Sequence, residues 1–336
     1  MNILSLFDGL SGAKLALNNI GIECQYFASE IDKYAEQVSR YHYPDIIRLG
    51  DVKNIKGKDL PRIDLLIGGS PCQGFSPAGK HLNFKDPRSA LFFEYVRLLK
   101  ECNPKYFVLE NVKMKKDYVD VISNYLRVPP IMINSALVTA QNRKRLYWAN
   151  FPVVQPKDRK IYLKDIIEEG LVDRDKSYCI DANYYKGTNL NTYFNKNKRQ
   201  LVFGCKKLGN MGSDSQGQRV YSIDGKSCTI ISEGGGLGAR TGLYAIAQIR
   251  KKSKSIRCGS RGSEDSHEWD NVFENIHIRK LTPKECERLQ GVPNNFTALG
   301  INESGNEVKI SNTQRYKMLG NGFTIPVIEH ILKEIF

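Results

Sequence analysis

The sequence lacks several features that would point elsewhere. No uncharged apolar run approaches the roughly 20 residues of a membrane-spanning helix, although 41% of the 336 residues are hydrophobic. The opening Met1-Asn2-Ile3-Leu4-Ser5-Leu6-Phe7 is apolar but has no basic lead and meets Asp8 at once, so it reads as a strand rather than a signal peptide. The eight cysteines stand 23 or more residues apart, with no Cys-x-x-Cys pair and no His-Cys cluster. That spacing disfavours a zinc site and a disulfide scaffold, and fits a reducing cytosol. The turn after the first strand has neither the G-x-G-x-x-G pattern nor a Walker lysine, which disfavours nicotinamide and nucleoside triphosphate ligands. No internal repeat is evident.

Acidic residues are scarce in one stretch. Between Asn183 and Gly262, 15 Lys and Arg face only Asp214, Asp224 and Glu233, so +12 of the net +14 lies in 80 residues. Charge kept only for solubility would be spread more evenly. A polyanion-binding surface fits better, and nucleic acid is the obvious polyanion.

The length suggests two domains. Up to about residue 150, apolar strand-like runs alternate with helical spacing: 3–7, 24–29, 64–67, 106–109, 131–133 and 145–149 as strands, 13–19 and 89–102 as helices. The second helix sets Leu91, Tyr95, Leu98, Leu99 and Cys102 on one face. Such alternation predicts an α/β domain with a mostly parallel sheet. Pro152 and Pro156 mark a boundary, after which short β-like runs such as 200–203 and 227–231 predict a smaller β-rich domain. Gly234-Gly235-Gly236-Leu237-Gly238 lacks a strand–helix context and reads as a surface loop. Near the end, Thr282 as N-cap, Pro283 at N1, Glu285 at N3 and Gly291 as stop predict a capped helix.

The chemistry gathers at strand ends. Asp64-Leu65-Leu66-Ile67 runs into Gly68-Gly69-Ser70-Pro71-Cys72-Gln73-Gly74-Phe75-Ser76, where two glycines and a proline force a turn. This presents Cys72 where open α/β sheets place their ligands. Glu30 ends the second strand, suited either to ribose hydroxyls or to a helix N-terminus, and Asp51 ends the third. Glu110 follows Tyr106-Phe107-Val108-Leu109, and Arg143 and Arg145 lie just beyond Gln141. A cysteine nucleophile with a nearby proton donor suits attack on an electron-poor ring. In a basic, nucleic-acid-facing cleft that ring is a pyrimidine.

Phe7-Asp8-Gly9-Leu10-Ser11-Gly12, Gly69-Ser70-Pro71-Cys72-Gln73, Glu110-Asn111-Val112, Gln141-x-Arg143-x-Arg145, Arg288-Leu289-Gln290-Gly291 and Gly320-Asn321-Gly322 occur in the order of the cytosine-5 DNA methyltransferase motifs. The chain resembles that family, in its bacterial or phage form, across nearly its whole length outside 160–275. Ser70 stands where many members have a second proline, and Phe323 where a small branched residue is frequent. The resemblance implies a Rossmann-like S-adenosylmethionine-dependent methyltransferase fold. Residues 1–160, completed by 310–336, would form the catalytic and cofactor domain, and 161–309 a small target-recognition domain.

It also implies roles. Phe7 would pack on the adenine of S-adenosyl-L-methionine, with Glu30 and the adjoining Ile31 at the ribose and Asp51 near the adenine amino group. The turn Asp8, Gly9, Leu10, Ser11 and Gly12, with Asn321, would complete that pocket. Cys72 would attack carbon 6 of a flipped cytosine, Glu110 would hydrogen-bond ring nitrogen 3, Arg145 would hold the base oxygen, and Arg143 would support the loop around Cys72. Ser70, Pro71, Gln73, Ser76, Asn111 and Gln141 would lie on the substrate side. No metal is implied. The partner would be double-stranded DNA, and the enzyme a cytoplasmic monomer with no membrane attachment, in a bacterium or a phage-infected host. A tRNA-methylating relative would carry a Cys-Phe-Thr signature, which is absent. A non-catalytic DNA-binding relative would be expected to lose Cys72, Glu110 or the arginine pair.

Overall fold

A computed structural model describes residues 1–70, 90–170, 172–188, 193, 195–196, 199–203 and 279–336, with backbone alone at 209–210, 219–222, 243–245 and 278. Residues 71–89, with Pro71, Cys72, Gln73 and Ser76, lie outside the described residues, as do the 227–231 run, the 234–238 loop and most of the basic stretch.

The first compact unit comprises 1–162, 176–186 and 282–336. Its centre is a seven-stranded sheet built from β1 (Asn2–Leu6), β2 (Gln25–Ser29), β3 (Ile47–Arg48), β4 (Leu65–Gly69), β5 (Tyr106–Val112), β6 (Ile131–Asn134) and β7 (Lys144–Ala149), ordered β3-β2-β1-β4-β5-β7-β6. Neighbours from β3 to β5 are parallel; β7 runs antiparallel to both β5 and β6. Ile3, Leu4, Leu6, Leu65, Leu66, Val108 and Leu109 are all fully buried. Such near-continuous apolar strands are what a sheet covered on both faces requires.

Helices α1 (Gly12–Asn19), α2 (Lys33–His42), α3 (Ala90–Cys102) and α4 (Lys116–Leu126) connect the strands. On α3 the buried side chains are Phe92, Tyr95, Val96 and Leu98, while Leu91, Leu99 and Cys102 are only partly buried against the same core. The expected helix is therefore present, turned slightly from the expected face. After the short helix α5 (Leu163–Ile166), the second unit, 163–175 with 187–281, contains the short strands β8 (Leu201–Phe203), β9 (Gly209–Asn210), β10 (Arg219–Ser222), β11 (Leu243–Ala245) and β12 (Ile278–Lys280).

Helix α6 (Pro283–Gln290) and the hairpin β13 (Leu299–Ile301) and β14 (Glu307–Lys309) belong to the first unit, together with α7 (Asn312–Asn321) and α8 (Ile325–Leu332). The physical reason is packing. Glu287 on α6 is fully buried and pairs with Arg315 on α7 at 2.9 Å, and β13 packs so close to α2 that a Cβ on Gly300 would meet Gln37 Cβ at 2.8 Å. Residues 176–186 join the same unit: Ser177 bonds the backbone of Ala140 and Asn142, and Ile180 N–H bonds Gln141. The capped helix has the expected form, with Thr282 and Glu285 making a reciprocal capping box and Gly291 closing it at φ 71°.

Candidate active site

The turn from β1 to α1 is left-handed at three alternate positions, Phe7 (φ 57°), Gly9 (φ 61°) and Ser11 (φ 63°). Only glycine adopts that region without cost, so the turn needs support. Asp8 supplies it. Its buried carboxylate accepts from the hydroxyls of Ser5 (2.5 Å), Ser11 (2.6 Å) and Tyr26 (2.6 Å). Burial pushes the Asp8 carboxyl up to about 6; the three hydroxyls oppose that rise, and the charge of Glu30 adds to it.

Glu30, at the end of β2, accepts from Gly9 N–H at 2.6 Å through one oxygen and from the N–H groups of Ile31 and Asp32 through the other. Asp32 caps α2 and pairs with Lys317 at 3.0 Å. Asp51 caps a short 3-10 turn, accepting from Lys53 N–H at 3.0 Å. Ile31 leaves 74% of its surface exposed.

At the ends of β4 and β5, Asn111 Nδ2 donates to the Ser70 carbonyl (3.3 Å) and hydroxyl (3.1 Å), anchoring the strand end just before Pro71 and Cys72. Glu110 lies opposite Tyr147, and Val112 opposite Arg145. Glu110 and Arg145 are thus diagonal neighbours on one face, a separation long side chains can span. They meet at 3.0 Å, each side chain only 14% exposed. Burial, the largest single influence, would lower the Arg145 guanidinium, but the negative charge of Glu110 together with Cys179 and Tyr147 outweighs it and holds the group above its ordinary value. Bare backbone at Gly69 makes room here: a Cβ would sit 3.1 Å from both Glu110 Oε2 and the Phe323 ring.

Arg143 is placed differently. It is 3% exposed, and its guanidinium donates to the carbonyls of Ile180 (3.1 Å), Gly320 (3.1 Å) and Gly322 (3.0 Å). Burial, and then the like charge of Arg145, press its pKa down. Among the described residues the guanidinium's polar contacts are to these carbonyls and to Cys179 Sγ (3.5 Å), not to the end of β4. Gln141 was expected on the substrate side and is fully buried, bonded to Leu289 O, Gln290 Oε1 and Ile180 N–H.

A cleft of about 360 Å³ opens at the carboxyl ends of the central strands. Its walls include Phe7, Asp8, Gly9, Glu30, Ile31, Asp51 and Asn321 from the expected cofactor set, and Ser70, Glu110, Asn111, Arg143 and Arg145 from the expected reaction set. Leu10, Ser11, Gly12 and Gln141 are not in that wall; Leu10 and Ser11 are buried behind it, and Gly12 packs toward Ile325. The motif reading missed Asp32, Val52, Leu91, Val112 and Met318, which also line the cleft. For Asp32 there was a signal, its N-cap position directly after a strand-end acid; the apolar residues carried none.

The strand order, the acid at the end of β2 and the cleft beside β1, β4 and β5 make this a Rossmann-like fold with a small-molecule site. The methyltransferase EhMeth of Entamoeba histolytica has a similar structure, with a TM-score of 0.65 at 15% identity over 100% of this chain and 98% of that one. The chain belongs to the C-5 cytosine-specific DNA methylase family, whose model matches residues 1–336. It is 29% identical to the type II methyltransferase M.HhaI of Haemophilus parahaemolyticus, over 100% of this chain and 94% of that protein. It is 33% identical to the orphan methyltransferase M.Rho11sI of Bacillus phage rho11s, over 100% and 97%. Enzymes of this family use S-adenosyl-L-methionine as methyl donor. The cleft suits it chemically: two carboxylates for hydroxyl and amino groups stand beside the apolar Phe7 and Ile31, in a volume within the usual range for small-molecule sites.

Proposed function

We propose that the enzyme methylates carbon 5 of a cytosine turned out of duplex DNA within a short specific sequence, through a transient bond between Cys72 and carbon 6. The observation that carries this reading is the Glu110–Arg145 pair, at 3.0 Å in the wall of the cleft that also contains Glu30 and Asp51. A base inside a stacked duplex is out of reach, so extrusion is required; methyltransferases are among the base-flipping enzymes given as examples of this principle.

The Cys72 thiolate adds to carbon 6, and electron density shifts across the ring toward nitrogen 3. Glu110, taking a proton from solvent as the base enters, delivers it there and returns to the carboxylate that Arg145 balances, while Arg145 also holds the base oxygen. Carbon 5, now nucleophilic, gains the methyl group. When bound, S-adenosyl-L-methionine supplies that group as an electrophilic carbon. Water then takes the carbon 5 proton, the pair left behind restores the 5,6 double bond and expels the Cys72 thiolate, and nitrogen 3 returns its proton to Glu110. Within the cofactor pocket, Glu30 has three of about four carboxylate lone pairs engaged by backbone N–H groups, leaving capacity for a ribose hydroxyl.

Residues 183–262 serve as the target-recognition region, their Lys and Arg neutralising phosphates while polar side chains read base edges. The enzyme acts as a monomer, in the cytosol of a bacterium or phage-infected host; the bacterial and phage relatives support the second part of this reading. Among the described residues no helix is long and apolar enough to cross a membrane.

The test uses duplex DNA carrying cytosine with fluorine at carbon 5, which cannot lose that position as a proton. The wild-type enzyme should accumulate a denaturation-resistant protein–DNA adduct in the presence of cofactor. Cys72→Ser should form none and transfer no methyl group. Normal turnover by that variant refutes the mechanism.

A further inference from the structure

The Arg288-Leu289-Gln290-Gly291 motif takes no part in the chemistry above, yet Gln290 is 1% exposed and fully engaged. Its Nε2 donates to the carbonyls of Leu319 (2.6 Å) and Gly322 (3.4 Å). Its Oε1 accepts from Thr324 Oγ1 (2.9 Å) and Gln141 Nε2 (3.3 Å). Arg143 donates to the carbonyls of Gly320 and Gly322. Two side chains from distant parts of the sequence therefore hold the carbonyls on both sides of Asn321, whose own side chain is exposed in the cleft wall.

Backbone contacts from behind make the arrangement tight. A Cβ on Gly320 would meet the Asp181 carbonyl carbon at 2.2 Å, and one on Gly291 would meet Pro326 Cδ at 2.3 Å. The Asn321 segment can neither slide toward 181–182 nor lift from α6 without breaking these bonds. Helix ends leave carbonyls unsatisfied, and here Gln290 and Arg143 satisfy those at the end of α7.

We propose that Gln290 is a positioning residue for cofactor binding: it fixes the backbone around Asn321 so that this side chain meets S-adenosyl-L-methionine in a preset orientation. The inference rests on reading the cleft as the cofactor site. Replacing Gln290 with methionine keeps the volume and removes the donor to the Leu319 carbonyl, while Gly322 keeps its bond from Arg143. Loss of preset orientation raises the cost of binding rather than the barrier to transfer.

The experiment measures S-adenosyl-L-methionine affinity by calorimetry, kcat at saturating cofactor, and thermal unfolding. Gln290→Met should weaken affinity roughly tenfold, on the scale of one buried hydrogen bond, with kcat within about twofold. Thr297→Val is the control. It removes a bond to Glu287 on the same helix and one from Arg315 in the first half of α7, and should lower Tm while leaving cofactor affinity alone. Unchanged affinity in a folded Gln290→Met protein overturns the proposal. So does an equal affinity loss in Thr297→Val at an equal Tm loss. Should Gln290→Met fail to fold, Thr324→Val replaces it, with about two- to fourfold weaker binding expected on loss of a single bond to Gln290; unchanged affinity there overturns the proposal as well. Glu30→Ala separates the two readings. If it abolishes binding while Gln290→Met does not, only this inference fails; if it binds normally, the cofactor-site reading fails.

Discussion

Arg143 and Arg145 stand two residues apart, and the sequence offers them as a pair, but they occupy different worlds. Arg145 faces Glu110 in the cleft wall with its charge balanced by one carboxylate. Arg143 is buried against three backbone carbonyls that carry no full charge. The first arrangement leaves a polarised pair available to a base. The second uses a permanent cation as a clasp for 180 and 320–322, which costs desolvation and returns rigidity. The same contrast runs through the site: Glu110 faces the cleft, while Gln290 and Gln141 hold what surrounds it.

The largest expected effect sharpens the cleft side of this contrast. Glu110→Gln should slow methyl transfer by roughly the 10²–10⁴ typical of a lost acid–base group, with cofactor affinity nearly unchanged in parallel calorimetry. Collapse of cofactor binding instead would move Glu110 into the cofactor pocket.

Next comes Asp8, a buried carboxylate on the supporting side. Its pKa rises on folding from 3.8 to about 6. Between those values the folded protein keeps a proton that the unfolded chain releases, so this group's contribution to stability falls as pH rises through the window. The full loss, present above about pH 6, is on the order of 3 kcal/mol. Asp8→Asn abolishes the titration. The stability of that variant relative to wild type, from urea unfolding, should therefore rise between pH 4 and pH 7. A constant difference would show that Asp8 does not titrate there.

A smaller effect is expected at Gly320. Alanine in a helix interior ordinarily gains about 1 kcal/mol over glycine. Here its Cβ would fall 2.2–2.4 Å from the backbone of Asp181 and Ala182, and overpacking typically costs about 1–3 kcal/mol. Gly320→Ala should lower Tm and weaken cofactor binding together; a rise in Tm would mean that 181–182 yields freely.

Much of this molecule was legible from residues alone. The strands announce themselves because both faces are covered, and the 282–291 helix because capping is chemistry local to four residues. The cleft wall was legible where an acid ends a strand, as at Glu30, Asp51 and Glu110. What escaped was long-range pairing. Gln141 looks in sequence like any polar loop residue; only Leu289, Gln290 and Ile180, far away in the chain, make it a buried one. The packing of α6 against α7 is of the same kind, since Glu287 meets Arg315 across 28 positions. The resemblance gave Arg143 a supporting role beside Arg145, but not its partners, because side-chain type says nothing of which carbonyls will crowd around it.

The most direct test takes the two arginines side by side. Lysine keeps the charge but not the fork of donors. Arg143→Lys should lose about 1.5–3 kcal/mol of stability by urea unfolding, the scale of charged hydrogen bonds lost, with methyl transfer at saturating cofactor within about threefold of wild type. Arg145→Lys should unfold like wild type and slow single-turnover transfer by roughly 10- to 100-fold. Crossed effects of this kind separate the clasp from the cleft. Equal losses of transfer at equal stability in both variants would contradict the division and return the two residues to a single catalytic pair.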